Sequence, residues 1–233
     1  MMVELGMAGT RARAQALIMA GKVNVAGKTL TKSGTLVPFD AVIDVAEPPP
    51  FIGRGGVKLD SALDRFGLDV SGCSVADIGS STGGFTDCLL KRGAGHIYAV
   101  DVGYGQLDYR LRIDPRVTVM ERVNARYPFS LPEKVDMATL DLSFISVEKV
   151  IPVVSGLLKD DAVMLVLLKP QFEARKREVG KGGVIRRPEV QARVIGRFIG
   201  WVASKGFRLK GLAASPIAGA SGNREVFILL SEG

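Results

Sequence analysis

From residue 53 onward the chain alternates short, nearly continuous apolar runs with longer stretches of helical spacing. The run AVMLVLL, 162–168, has the length and composition of a strand buried on both faces. This pattern predicts a helix at 57–66, a strand at 74–79, a helix at 83–93 and a strand at 96–102. A short strand follows near 117–120, then a strand at 135–142, a helix at 147–158 and the strand 162–168. A helix over about 188–204 and two strands, 207–215 and 224–231, close the chain. Such alternation defines an α/β fold, a mostly parallel sheet with helices on both faces.

Residues 2–46 read as a separate unit. Thr10 is placed to N-cap a helix, TRARAQALIMA, that Gly21 can close. KVNV, a turn at Ala26-Gly27-Lys28, and the segments LTKSGTLV and AVIDV have strand-and-hairpin character. Pro48-Pro49-Pro50 cannot be helix or central strand and reads as a stiff linker. The expected division is 1–46, a linker at 47–52, and 53–233.

Composition narrows the classes. Hydrophobic residues make up 47% of the 233, which supports a sizeable core and excludes wholesale disorder. Two cysteines, Cys73 and Cys88, suggest no disulfide framework and point to a reducing, cytoplasmic setting. A single histidine, His96, argues against a His/Cys zinc site and against His-based catalysis; it is expected simply to start a strand. No apolar run approaches the roughly 18 residues of a membrane span, and no signal-type stretch opens the chain, so neither a membrane nor a metal is expected. The net charge is +7. Its location matters more than its size: residues 170–210 hold eleven Lys/Arg against three Glu, leaving the rest nearly neutral. A localised excess of this kind points to a polyanionic partner.

The loop DIGSSTGGF, 77–85, joins the first strand of the larger unit to a helix. Its glycines allow backbone to approach a ligand, and the helix start favours negative charge. Asp101, at the end of the next strand, is placed to bind two ribose hydroxyls. Together they indicate a nucleoside ligand, with nicotinamide, flavin and S-adenosylmethionine equally compatible. Asn124, after the third strand, would sit beside the same pocket. In open parallel sheets, ligands bind outside the carboxyl ends of the strands. Asp141 and Lys169 both end strands there, and Glu225 joins them if the last strand is antiparallel. Lys58 stands near the start of the helix before the first strand. Taken singly, Lys58 and Glu225 read as ordinary surface charges, whereas Asp141 and Lys169 sit where a ligand would be.

With these motifs in order, the chain resembles a known family. GRGGVKL (53–59), DIGSSTGGF (77–85), AVDVGYGQL (99–107), RVNAR (122–126), DLSFIS (141–146), LKPQFEA (168–174), VGKGGVIR (179–186) and SPIAGASGNREVF (215–227) resemble the TlyA, or hemolysin A, family of ribosomal RNA 2′-O-methyltransferases. RARAQALIMAGKVNVAGK resembles the alpha-L RNA-binding domain of a ribosomal protein, with its first helix cut to MMVELGM and Ala26 where the family often has Asn. The resemblance implies a Rossmann-like methyltransferase sheet with an antiparallel last strand, preceded by a small α+β RNA-binding domain. It implies S-adenosyl-L-methionine as cofactor and ribosomal RNA or a ribosomal subunit as partner. It assigns a catalytic tetrad to Lys58, Asp141, Lys169 and Glu225. It places the cofactor against Gly79, Ser80, Ser81, Thr82, Gly83, Gly84, Phe85, Asp101, Val102, Asn124 and Asp141. RNA phosphates would meet Arg11, Arg13, Lys22 and Lys28, and, beside the catalytic rim, Arg175, Lys176, Arg177, Lys181, Arg186 and Arg187.

On this reading Lys169 either removes the 2′-hydroxyl proton or orients the hydroxyl and stabilises developing alkoxide charge. Three other classes compete. A membrane-lytic hemolysin lacks a span or a strongly amphipathic basic helix. A non-catalytic RNA-binding assembly factor has no need of the tetrad. A nicotinamide oxidoreductase fits the glycine loop but not the basic face.

Overall fold

Thr10 caps the first helix as its sequence dictates: its extended backbone lets the hydroxyl accept from the Arg13 N–H at 3.1 Å. The computed structural model describes residues 1–46 and 49–233, which form two units, Met1–Pro49 and Pro50–Gly233. Positions 47 and 48 of the expected linker lie outside the described residues. In the first unit α1 (Arg11–Met19) accompanies a three-stranded antiparallel sheet ordered β2 (Lys28–Leu30), β1 (Val23–Val25), β3 (Ile43–Val45). Met2, Ala8, Ala14, Val23, Val25 and Ile43 form its core. Residues 2–6 make turns rather than a helix.

The two-residue turn between β1 and β2 has Ala26 at φ +47° and Gly27 at φ +77°. Two left-handed residues match the twist of a tight hairpin, but alanine is strained there and asparagine is not. Ala26→Asn is therefore expected to stabilise this hairpin by up to about 1 kcal/mol. Amide exchange at Val25 and Lys28 in the intact chain should slow; unchanged exchange would show that the turn is not strained.

The second unit contains α2 (Arg54–Phe66), β4 (Ser74–Ile78), α3 (Gly84–Lys91), β5 (His96–Asp101), α4 (Tyr109–Arg112) and β6 (Val117–Glu121). It continues with β7 (Val135–Leu140), α5 (Ile151–Ser155), β8 (Leu158–Leu168), α6 (Pro170–Glu173), α7 (Pro188–Ser204), β9 (Phe207–Ala214) and β10 (Val226–Glu232). The sheet order is β6-β5-β4-β7-β8-β10-β9. β10 is antiparallel to both neighbours, while the pairings from β6 across to β8 are parallel.

Alternate residues of the central strands feed two cores. In β8, Met164, Val166 and Leu168 join the α5 and α7 side, and Leu165 and Leu167 join the α2 and α3 side. This is why the run 162–168 is nearly unbroken in sequence. The GRGG segment has a packing reason: a side chain at Gly84 would come within 2.9–3.2 Å of the backbone of Ile52, Gly56 and Gly55. Backbone-to-backbone approach thus seats α2 on α3. Asp87 strengthens the seat, accepting from the Ile52 N–H and the Lys91 ammonium, each at 2.8 Å.

In the first unit only Leu30 of the segment LTKSGTLV lies in a strand. In the second unit three expected elements differ. The helix at 147–158 is a single 3-10 turn, Val147–Lys149, followed by the short α5, because the chain enters β8 at Leu158. β8 starts four residues before the apolar run; a register shift opposite β7 and left-handed Asp161, φ +62°, accommodate the polar segment Lys159–Asp161. The last strand begins at Val226, so Glu225 stands just before it. α4, capped by the Asp108 carboxylate, was not expected. Its single turn carries too few residues for a periodic signal.

Candidate active site

Strand order reverses between β4 and β7, and that crevice holds the glycine loop. The Asp141 N–H donates to Ile78 O at 3.0 Å, bringing the end of β7 against the start of the loop. Gly79, φ +87°, has no room for a side chain: a Cβ would lie 2.5 Å from Asp141 O. Ser81, φ +48°, turns its N–H to the Asp101 carboxylate at 2.8 Å, and the Gly103 N–H takes the other oxygen at 2.6 Å. Asp101 is thereby fixed at the end of β5, facing a cleft of about 520 Å³.

Ile78, Val100, Val123, Ile145 and Val150 give the cleft apolar walls, and Gly79, Ser81, Asp101, Val102, Asn124 and Asp141 also line it. A smaller space of about 130 Å³ continues along Gly79–Thr82, Gly84, Phe85 and Gly53–Gly55, with Asp141 between the two. Ser80 is buried, as is Gly83. The Phe85 ring points into the core, stacked 6.2 Å from Phe227.

The four residues assigned to the tetrad form two ion pairs. Lys58 Nζ meets Glu225 Oε2 at 2.5 Å, both side chains buried. Lys169 Nζ lies 2.6 Å from Asp141 Oδ1 and donates to Ser143 Oγ at 2.9 Å. The Lys169–Asp141 contact is electrostatic, since Asp141 Oδ1 has no aligned hydrogen-bond donor. Register explains the assembly. Val226 pairs with Leu168, so Glu225 and Lys169 occupy the next positions on neighbouring strands.

Several residues here carry no role in the sequence reading. Phe144 is 92% exposed with φ +64°, lies at the cleft and leans on Phe172 at 5.2 Å. Such a face suits a stacked base. Glu173 accepts from Ser146 Oγ and the Val147 N–H, tying the Asp141–Ser146 loop to α6; burial pushes its carboxyl up. Asp77 is wholly buried, accepting from Thr86 Oγ1 at 2.6 Å and Thr139 Oγ1 at 3.0 Å. Phe144 and Glu173 lie in quoted motifs but have no strand-end position to mark them.

Burial raises the Asp77 carboxyl to about 6, with Asp141 adding to the shift and the hydroxyls opposing it. A carboxyl raised from 3.8 is protonated more readily in the folded than in the unfolded chain. Its charged form therefore destabilises the fold progressively as pH rises from about 4 to about 6, and by a constant amount above, about 3 kcal/mol at most. Asp77→Asn should be more stable than the parent by an amount that grows across that window and then levels off. Urea unfolding at several pH values checks this; a difference independent of pH would contradict it.

The predicted cations fall in two places. Arg11, Arg13, Lys22 and Lys28 are exposed on the small unit. On the large unit Arg175, Arg177, Lys181, Arg186 and Arg187 line one bowl of about 860 Å³ together with Arg193 and Arg197 from α7. Lys176 is exposed but not part of the bowl lining. Glu178 organises it: the carboxylate accepts from the Arg175 N–H and pairs with Arg197 at 3.0 Å and Arg193 at 3.5 Å. Those cations hold its carboxyl well down, at about 2. Arg193 and Arg197 join only through the helical turn of α7.

Among the described residues no helix is long and apolar enough to cross a membrane, and no group of three or more His, Cys, Asp or Glu is disposed to hold a metal ion.

The fold and the crevice are those of a methyltransferase. The family model of FtsJ-like methyltransferases matches residues 51–232 and that of the S4 domain matches residues 1–43; the chain belongs to the FtsJ-like methyltransferase family and carries an S4 domain. Within that class it is 45% identical over 237 residues, 99% of this chain and 83% of the other, to the Bacillus subtilis protein YqxC, provisionally named an rRNA methyltransferase. It is 43% identical over 233 residues, 98% of this chain and 87% of the other, to the 16S/23S rRNA (cytidine-2′-O)-methyltransferase TlyA of Mycobacterium tuberculosis. A solved Streptococcus thermophilus structure, provisionally described as a hemolysin, superposes with a TM-score of 0.78 at 36% identity, covering 99% of this chain and 86% of that one.

Proposed function

We propose that the protein methylates the 2′-hydroxyl of a ribose in ribosomal RNA, a cytidine as in the name of the M. tuberculosis relative, using S-adenosylmethionine. One observation carries the reading: Lys169 is held against Asp141, a residue that lines both spaces of the glycine-loop crevice. The crevice fits the cofactor by its own chemistry. An apolar-walled cleft of nucleoside size ends on the fixed carboxylate of Asp101, and Gly79, where a side chain would overlap Asp141 O, lets the glycine loop close against the end of β7.

Bound there, S-adenosylmethionine supplies a methyl group on a sulfonium, already a good leaving group. The chain then has two tasks, alignment and proton removal. Ser143 and Asp141, which line the cleft, hold the Lys169 amine beside it, where it receives or steers the 2′-hydroxyl proton. Glu225 fixes Lys58 in the adjoining pair. The bowl and the exposed cations of the S4 unit grip phosphates, which positions the RNA without reading its sequence.

Purified protein with S-adenosylmethionine and unmodified ribosomal RNA or subunits should create a ribose 2′-O-methyl at a cytidine. Mapping 2′-O-methyls with and without the protein tests this. Methylation of a base, or of nothing, would sink the reading.

A further inference from the structure

The Asn223 side chain joins the loop of the bowl to the chain that carries Glu225. The loop 180–187 supplies Gly180, Lys181, Val184, Arg186 and Arg187 to the bowl. Its backbone bends through Gly182 at φ +78° and Gly183 at φ +75°, and is closed internally only by the Gly183 N–H to Gly180 O and the Gly180 N–H to Val184 O. Among the described residues, the hydrogen bonds that reach the backbone of 180–186 from outside the loop come from Asn223 alone. Its Oδ1 accepts from the Ile185 N–H at 3.0 Å and its Nδ2 donates to Gly183 O at 2.9 Å.

Asn223 is 3% exposed, so both halves of its amide depend on this loop for partners. An amide is the group that can satisfy one N–H and one C=O at once; a carboxylate would turn an acceptor toward Gly183 O. Two residues later stands Glu225, paired with Lys58. The intervening chain is held as well: the Gly219 N–H donates to Asn223 O, Gln191 on α7 reaches Arg224 O at 3.3 Å, and Ser215 N–H donates to Glu225 O. A side chain at Gly219 would overlap the Glu225 carboxylate, so that turn is packed directly on the tetrad.

We infer that Asn223 is a positioning residue that couples RNA phosphates in the bowl to the seating of the Lys58–Glu225 pair. Phosphates that fix loop 180–187 also fix the start of β10. Binding energy from RNA remote from the reacting ribose is thereby converted into alignment at the tetrad, which raises kcat and not only affinity. The inference rests on the methyltransferase reading, and goes beyond it by assigning the route from the bowl to the tetrad.

The test uses the full chain, S-adenosylmethionine and unmethylated ribosomal RNA that the wild-type protein modifies. Four proteins are compared: wild type, Asn223→Ala, Arg186→Glu/Arg187→Glu, and the triple variant. Asn223→Ala should lower kcat at saturating RNA by about 10-fold or more, while the Kd for S-adenosylmethionine stays within about 2-fold. Charge reversal in the wild-type background should weaken RNA binding and lower kcat. In the Asn223→Ala background it should weaken RNA binding only. Asn223→Asp, which preserves size, should behave like Asn223→Ala, and thermal melting of each variant reports folding.

An unchanged kcat in Asn223→Ala overturns the inference. So does an equal loss of kcat on charge reversal in both backgrounds. So does a joint loss of cofactor affinity and thermal stability in both Asn223 variants, which would make the residue merely structural. Failure of the wild-type protein to methylate ribose refutes the proposed activity instead, and is separable from these results.

Discussion

Lys169→Ala is expected to abolish methylation, a fall of about 10²–10⁴-fold or more in kcat, while leaving S-adenosylmethionine binding close to unchanged. The separation follows from geometry. Asp141 and Ser143 line the cleft and Lys169 does not; it reaches them from the end of β8. Truncation removes the amine without opening the cofactor's walls. Calorimetry for binding and a methyl-incorporation assay for rate make the comparison. Substantial methylation by the alanine variant would sink the assignment of Lys169 to the chemistry.

Lys169→Arg then divides the two roles. Arginine keeps the positive charge but does not give up its proton in proteins. If Lys169 acts by orienting the hydroxyl and stabilising alkoxide charge, the arginine variant should retain activity well above that of the alanine variant. If Lys169 receives the proton, the two variants should be equally inactive. Ser143→Ala adds a milder control, since it removes one partner of the amine and leaves the ion pair to Asp141 in place.

How much of this was legible depended on whether the controlling interactions were local or long-range. The alternation of apolar runs with helical spacing was sufficient for the sheet, because a strand buried on both faces cannot hide its composition. Rim residues at the ends of β7 and β8 were legible from strand position alone. Lys58 and Glu225 were not: they are 167 positions apart, and only the antiparallel pairing of β10 with β8 and the seating of α2 on α3 bring them together. Family resemblance assigned both residues to the tetrad without their pairing, and strand position reached Glu225 only on condition that the last strand is antiparallel. Asn223 and Glu173 stayed unmarked for a related reason. Asn223 works through hydrogen bonds to backbone in a distant loop, and Glu173 through one backbone N–H and the Ser146 hydroxyl 27 positions away, partners that residue type does not reveal. The over-long helix at 147–158 was a competition between helical spacing and the extended start of β8, decided by pairing of Leu158 with Val135.

Lys58→Met should destabilise the fold by about 3–5 kcal/mol, the second large effect. Glu225 is 3% exposed, and with Lys58 gone its carboxylate has no counter-ion among the described residues in a desolvated site. The pair itself is a weak source of net stability, because removing two charges from water offsets most of their attraction. The double variant Lys58→Met/Glu225→Met, unbranched like the residues it replaces, should therefore recover most of the loss in urea unfolding. It should nevertheless be inactive in methylation. Stability regained without activity would show that the pair is held in the core for the chemistry at the rim. Two other results would contradict this: a single variant as stable as the parent would mean that water or another cation reaches Glu225, and a double variant with normal methylation would remove both residues from the mechanism.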